Sequence, residues 1–203
     1  MMLLFQGSPN ITRRTRTLLL FQVMKVFSQK ETDLRLDYFK MCDSRIIALA
    51  PILSHLTQLQ KLSFHCNRIG SSGAIAIANS INRFTQLQQL YLGSNQFGYT
   101  GAIAITNSIG NLTRLEELSI SENPIGDSGA IAFANAFSKM TQLRWLNLDN
   151  NQIGDSGATA ITNVVRDLEE LRFLHLEENE ISKPVKQRLK RYLLPKFGGK
   201  LHI

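Results

Sequence analysis

The chain lacks most of the features that mark a metal-binding, membrane-spanning or exported protein. Its two cysteines, Cys42 and Cys66, do not form a CxxC pair, so neither a zinc site nor a redox motif is indicated, and two thiols suit a reducing compartment. No apolar stretch reaches the roughly 18 residues that span a bilayer. The apolar residues 1–5 are too few for the core of a signal peptide. We therefore expect a cytoplasmic protein.

Basic residues dominate both ends of the chain, and acidic residues dominate its middle. The net charge is +7, yet residues 1–30 carry five basic side chains and residues 183–203 carry seven, with no acidic side chain in either segment. Residues 31–182 therefore carry a net charge of −5. A nucleic-acid-binding protein usually concentrates positive charge on its recognition face. Neither nucleic acid nor a membrane is therefore the expected partner.

What the chain does contain is an internal repeat of 28 residues. Large apolar residues return at this step in three columns, which begin at Leu59, Leu62 and Phe64. Two further columns hold asparagine and glycine. Several columns in register over four or five units indicate a repeat architecture. The asparagines are Asn67, Asn95, Asn123, Asn151 and Asn179, and the glycines are Gly73, Gly101, Gly129 and Gly157.

Each unit is predicted to form a short strand followed by a helix. Leu62 and Phe64 alternate with polar neighbours, as on a strand that buries one face. Residues 74–81 carry apolar side chains at the i, i+3, i+4, i+7 spacing of a buried helical face. This pattern predicts about six parallel strands, one per unit from residue 31. The hydroxyl residues predicted to cap the helices are Ser72, Thr100, Ser128 and Ser156.

The repeat resembles the leucine-rich repeat, specifically the 28-residue ribonuclease-inhibitor-like subtype that also occurs in NOD-like receptors and Ran GTPase-activating proteins. The segments LQQLYLGSNQFGYTGAIAI and LRWLNLDNNQIGDSGATAI carry this resemblance. It implies an α/β solenoid, a right-handed horseshoe with a parallel sheet on the concave face and helices on the convex face. It also implies that the asparagines form a ladder of amides bonded to the backbone, because an asparagine in every repeat satisfies the same backbone groups in each turn.

The two ends depart from the repeat and are predicted to be caps. Residues 31–56 form a first repeat without the asparagine and the glycine, and residues 18–27 fall under the helix columns of a preceding unit. We therefore divide the chain into an N-terminal capping helix region at 1–30, repeats at 31–182 and a basic C-terminal cap at 183–203. Solenoids need such atypical ends because the core of a terminal repeat is otherwise exposed.

No grouping of side chains indicates catalysis. His65 and His175 are predicted to face the same side of the sheet, but three repeats separate them, too far for a shared metal shell at about 4.8 Å per strand. The recurring Ile-Gly-Asp-Ser-Gly lacks the lysine of a phosphate-binding loop. There is no set of nucleophile, base and orienting residue. We expect no enzyme, no cofactor, no metal and no small-molecule substrate.

The outward face of the predicted sheet is the candidate binding site. Trp145 and Phe173 lie one repeat apart and point out of the sheet, although folding does not require exposed aromatic rings there. Acidic residues surround them and suit a basic protein partner. Alternatively, the C-terminal cap folds over these rings. The candidate residues are Tyr91, Glu117, Trp145, Asn147, Asp149, Phe173, His175 and Glu177.

These features predict a monomeric protein-interaction module that binds through its concave face. It would be a free-standing repeat protein, a fragment of a NOD-like receptor, or a bacterial effector released into a host cell. An alternative function is regulation of a small GTPase, although the acidic tail of the Ran activators is replaced here by a basic C-terminus. A third hypothesis is attachment to a membrane or nucleic acid through the basic ends.

Overall fold

The repeats form one parallel sheet backed by a layer of helices. The computed structural model describes residues 21–26, 28 and 31–203. In this part of the chain seven strands form a single sheet in sequence order. The strands are β1 Asp33–Arg35, β2 Lys61–Ser63, β3 Gln89–Tyr91, β4 Glu117–Ser119, β5 Trp145–Asn147, β6 Phe173–His175 and β7 Leu201–His202. The helices are α1 Asp43–Leu53, α2 Ser71–Ile81, α3 Gly98–Ile109, α4 Gly126–Phe137, α5 Asp155–Val165 and α6 Lys183–Phe197.

The strand register follows the 28-residue step. Lys61 pairs with Gln89, Glu117 pairs with Trp145, and Trp145 pairs with Phe173, so equivalent residues of successive repeats lie side by side. The concave sheet and convex helices of a leucine-rich-repeat solenoid are therefore confirmed. The predicted capping helix at 18–27 lies partly outside the described residues, of which 21–26 are helical.

Small residues allow the helices to lie close together. The alanine- and isoleucine-rich segment that alternates like a strand is the helix α2, as predicted, and it buries Ala74, Ile77, Ala78 and Ile81. A Cβ atom added to Gly101 in α3 would lie 2.8 Å from the Cβ of Ala74, so glycine is needed at this point of close approach. The inner faces of the helices and the inward leucines of the strands form one continuous core.

The asparagine ladder has the expected hydrogen bonds. The Nδ2 of Asn95 donates to the carbonyls of Phe64 and Leu92, each at 3.0 Å, and its Oδ1 accepts from the Ile69 amide at 3.1 Å. The residue before each asparagine has a φ of 51–56°, although none of these residues is glycine. Such a conformation is costly for most side chains, and the amide bonds stabilise the turns that contain it. The residues are Cys66, Ser94, Glu122, Asn150 and Glu178.

The predicted hydroxyl caps are wrong. Ser72, Thr100, Ser128 and Ser156 lie inside the helices, whose N-cap positions make no side-chain hydrogen bond. An aspartate of the preceding repeat takes this role for several helices. Asp127 Oδ1 accepts from the amides of Gly154 at 2.7 Å and Gly157 at 2.9 Å at the start of α5. Burial alone would raise the pKa of Asp127, but bonds from Ser156, Gly157 and Gly154 outweigh it and lower that pKa.

The C-terminal segment covers the end of the core and also extends the sheet. Leu189, Leu193 and Phe197 of α6 are buried against the last repeat. The ammonium group of Lys196 donates to the carbonyls of Val165, Arg166 and Leu168 at 2.5–3.0 Å, just past the end of α5. The chain then returns to pair β7 with β6. This seventh strand was not predicted, since only six were expected.

Candidate protein-binding site

The concave face is acidic although the whole chain is basic. Five acidic and two basic side chains project from the strands or follow them directly, which leaves this face with a net charge of −3 against +7 for the chain. The acidic residues are Asp33, Asp37, Glu117, Asp149 and Glu177, and the basic ones are Arg35 and Lys61.

Aromatic rings cross the concave face in a diagonal chain. Tyr91 and Trp145 have ring centroids 6.2 Å apart, and Trp145 lies 5.8 Å from His175. His175 stacks on His202 at 4.5 Å with an interplanar angle of 2°. Tyr91, Trp145 and His175 were all predicted for the site, whereas His202 was not. The chain thus joins the middle repeats to the C-terminal cap.

Phe173 belongs to the same face but not to this chain of rings. It lies opposite Trp145 in the strand register, as predicted, but in the described part of the chain the rings paired with Trp145 are those of Tyr91 and His175. The expected stack of Trp145 on Phe173 is therefore wrong. Phe173 remains 39% exposed, and the ammonium group of Lys200 lies 5.0 Å from its ring centre. The cap contacts this ring without hiding it.

Two recesses flank Trp145. The larger is a groove of about 470 Å³ with hydroxyl groups on its floor and Tyr91 and Trp145 on its walls, and it also reaches Arg35 and Lys61. Gly93 keeps the floor open, because a Cβ atom there would lie 2.7 Å from Ser121 Oγ. The smaller recess, about 330 Å³, lies between Trp145 and Phe173. Its other lining residues are Glu116, Glu117, Arg144 and Arg172.

Glu117 fixes the wall of the larger groove. It accepts hydrogen bonds from the Tyr91 hydroxyl and from Gln89 Nε2, the latter at 3.1 Å. Burial, and then the bond to Glu117, raises the pKa of Tyr91. The ammonium group of Lys61 lies 4.7 Å from the centre of the Tyr91 ring. The tyrosine ring is therefore held in place by an acceptor and a cation.

Asp149 has a structural role besides its charge. Its Oδ1 accepts the Glu177 amide at 2.6 Å, and its Oδ2 lies 3.8 Å from His175 Nδ1. Asn147 Oδ1 accepts the Asp149 amide at 2.8 Å. Burial raises the pKa of Asp149 and lowers that of His175. The polar residues predicted for the site thus lie together, but Asp149 also holds the end of β6.

The residues that sequence reasoning missed come from the cap and from the floor of the groove. His202 follows His175 by 27 residues rather than 28, so stepping through the repeat does not find it. Lys200 lies in the same irregular segment. Gly93 and the serines of the floor carry no signal of binding in the sequence, because small residues on a strand indicate nothing about what approaches them.

The arrangement offers recognition surfaces rather than reactive groups. In the part of the chain described here, no cluster of three or more histidine, cysteine or carboxylate side chains is placed to hold a metal ion. A separate search of the same residues finds no helix with the length and apolar character needed to cross a membrane. The features that remain are exposed rings, two recesses and an acidic rim, which are typical of protein-binding surfaces.

Comparison with known proteins gives the same architecture. Among solved structures, the chain is similar to a leucine-rich-repeat protein of Leptospira interrogans, with 23% identity and a TM-score of 0.52, over 75% of this chain and 33% of that one. It is also similar to the PEPR1–AtPEP1 crystal structure, with 19% identity and a TM-score of 0.49, over 78% of this chain and 20% of that one. The chain thus spans a third or less of either protein, and such low identity shows the fold alone.

The search of curated proteins found no match. A family model described as "Leucine-rich repeat region" matches residues 29–197. This match runs from before β1 to the end of α6, and it agrees with the strand-and-helix unit that returns every 28 residues. The chain therefore belongs to the leucine-rich-repeat family, whose members are protein-interaction modules.

Proposed function

We propose that the concave face binds a protein partner with Trp145 as its central anchor. The observation that carries this proposal is the position of Trp145: it lines both recesses and links the rings of Tyr91 and His175. Large aromatic side chains in partly open recesses are the usual hot spots of protein interfaces. Phe173 extends this anchor toward the cap.

The partner is proposed to present an apolar side chain flanked by lysine or arginine. The net charge of −3 on the concave face opposes the +7 of the chain, so a basic partner meets attraction only when it approaches this side. Complementary charge of this kind raises association rates and selects orientation. The 28-residue step supports the ribonuclease-inhibitor-like subtype as part of the proposal.

The test compares binding by the wild type and a Trp145→Ala variant. The probe is a peptide array in which an apolar residue is flanked by lysine or by glutamate, followed by solution titration of the strongest binders. We expect the wild type to prefer the lysine-flanked peptides. Trp145→Ala should weaken binding by about 2 kcal/mol or more, which is roughly 30-fold.

A matched control is Tyr192→Ala, which removes an exposed ring of α6 outside the concave face. This variant should bind like the wild type. Glu177→Lys should slow association, with a loss that shrinks as salt screens the charge. It is preferred to Asp149→Lys, which would also break the bond to the Glu177 amide. Equal binding by wild type and Trp145→Ala would exclude this site.

A further inference from the structure

The convex face carries an exposed column of isoleucines. Successive helices place Ile47, Ile75, Ile103 and Ile131 at equivalent positions, with exposed fractions of 51%, 39%, 38% and 41%. One turn before Ile103 on α3, Tyr99 is 61% exposed. These residues are separate from the inner helix positions, such as Ile77 and Ile105, which are fully buried. We call the five exposed residues the isoleucine stripe.

The fold does not require isoleucine at these positions. In α5 the equivalent residue is Thr159, and that helix buries its inner face as the others do. Exposed apolar side chains that return on four neighbouring helices form a continuous patch rather than scattered single residues. Contiguous patches of this kind mark interaction surfaces.

The surroundings of the stripe are almost free of charge. From Ile69 to Thr113 the chain has a single charged residue, Arg83, whereas 19% of the whole chain is charged. The helices α2 and α3 contain none. Their outer faces show alanine and asparagine beside the isoleucines, at Ala76, Ala104, Asn79 and Asn107. A partner selected by charge would find nothing to recognise here.

We propose that the isoleucine stripe is a self-association surface that binds a second copy of this chain. Two copies that each carry +7 repel one another, and the face centred on α2 and α3 is where they approach with the least repulsion. Because the same side chain recurs on each helix, isoleucine can meet isoleucine across a two-fold axis. Self-complementarity of this kind is what an isologous dimer requires.

The dimensions of the stripe predict a weak dimer. Four helices spaced by about 8–10 Å extend roughly 30 Å, and an 11-residue helix is about 16 Å long. Convex surfaces diverge away from their point of contact, so the interface is centred on α2 and α3. An area of this order falls at the small end of specific interfaces. The dimer should therefore dissociate on dilution, and the acidic concave face stays free for another partner.

The test is sedimentation velocity of the purified chain from about 1 μM to about 1 mM, the range over which weak complexes dissociate. The wild type should shift from monomer to dimer. The variant Ile75→Lys/Ile103→Lys should remain monomeric, with at least a tenfold higher dissociation constant. Its matched control is Thr85→Lys/Thr113→Lys, which adds the same charges to exposed positions of the same two repeats, away from the stripe. The control should dimerise like the wild type.

A neutral variant, Ile75→Asn/Ile103→Asn, separates loss of apolar contact from charge repulsion, and circular dichroism checks that each variant folds. It should also remain monomeric. A wild type that stays monomeric up to about 1 mM would overturn the proposal, as would dimers that survive in the asparagine variant. Equal loss of dimer in the control would attribute the effect to net charge and would likewise overturn it. Trp145→Ala should dimerise normally, so failure of the concave site and failure of the stripe are distinguishable.

Discussion

The buried asparagines show how a single side chain supports a whole repeat. Asn123 is fully buried, and its Nδ2 donates to the carbonyls of Leu92, Ile120 and Ser121 at 3.0–3.2 Å. Its Oδ1 accepts the Phe97 amide of the preceding repeat. These backbone groups lie in turns, where no strand or helix partner reaches them. The asparagine is therefore part of the backbone hydrogen bonding of two repeats at once.

Removing one of these amides should destabilise the protein. We expect Asn95→Ala to lower the free energy of unfolding by about 1–3 kcal/mol, because three buried backbone groups lose a partner. The measurement is urea denaturation followed by circular dichroism. The matched control is Asn107→Ala, at an exposed position of α3, which should change little. Equal midpoints for the two variants would contradict the structural role of the ladder.

His175 makes stability depend on pH. Burial is the main cause that lowers its pKa in the folded state, Asp149 opposes this effect, and the neighbouring His202 adds to it. A histidine whose folded pKa lies below its unfolded value of about 6.5 favours unfolding when it is protonated. We therefore expect stability to fall as the pH drops through about 6.5.

The measurement is the melting temperature at pH 7.5 and at pH 5.5, for the wild type and for His175→Phe. Phenylalanine keeps a ring against Trp145 and His202 but does not titrate, so this variant should lose less stability between the two values. Asp149, whose pKa burial raises, titrates at lower pH and in the opposite sense. A wild type and variant that respond identically would show that His175 does not carry the pH effect.

At the scale of the element, the repeat pattern predicts strands and helices well but their ends poorly. Residues 74–81 alternate like a strand, and only the comparison of repeats identifies them as helical. The caps were wrong because the predicted hydroxyls were sought in the same repeat as the helix. Asp127 instead belongs to the repeat before the helix that it caps. Hydrogen bonds between repeats are not visible in any single unit of sequence.

The strand β7 could not be predicted for a related reason. It pairs Leu201 with Leu174 and His202 with His175, a step of 27 residues, and the helix before it contains Pro195 near its end. A two-residue strand carries no alternation of its own. Its position is determined by how α6 packs on the last repeat, which depends on the whole terminus rather than on local pattern.

At the scale of the whole molecule, the sequence predicts which residues share a face but not how their side chains meet. The columns correctly place Tyr91, Trp145 and Phe173 on the outward side of the sheet. Ring orientation depends on neighbours in other strands, since Trp145 turns toward His175 and Tyr91 and Phe173 lies under Lys200. The column of isoleucines on the convex face was equally visible in the sequence but was absorbed into the helix pattern.

The basic C-terminal segment is, on this structure, the seal of the hydrophobic core. Leu189, Leu193, Phe197 and Ile203 are buried in it, while Leu194 beside them is 50% exposed. Lys196 is committed to the carbonyls that follow α5. The positive charges that remain face solvent at the end of the solenoid, as a terminal repeat requires.

Two neighbouring leucines therefore provide the sharpest test of this seal. Leu193→Ala should lower the free energy of unfolding by about 2–5 kcal/mol, because it leaves a cavity in the core. Leu194→Ala removes the same atoms from a half-exposed side chain and should cost far less. Deletion of residues 183–203 should expose the last repeat, cause aggregation and increase the fluorescence of a dye that binds apolar surface. A soluble truncated chain that melts like the wild type, together with equal stability of the two leucine variants, would contradict the seal. The basic segment would then be an appendage available for binding anionic partners.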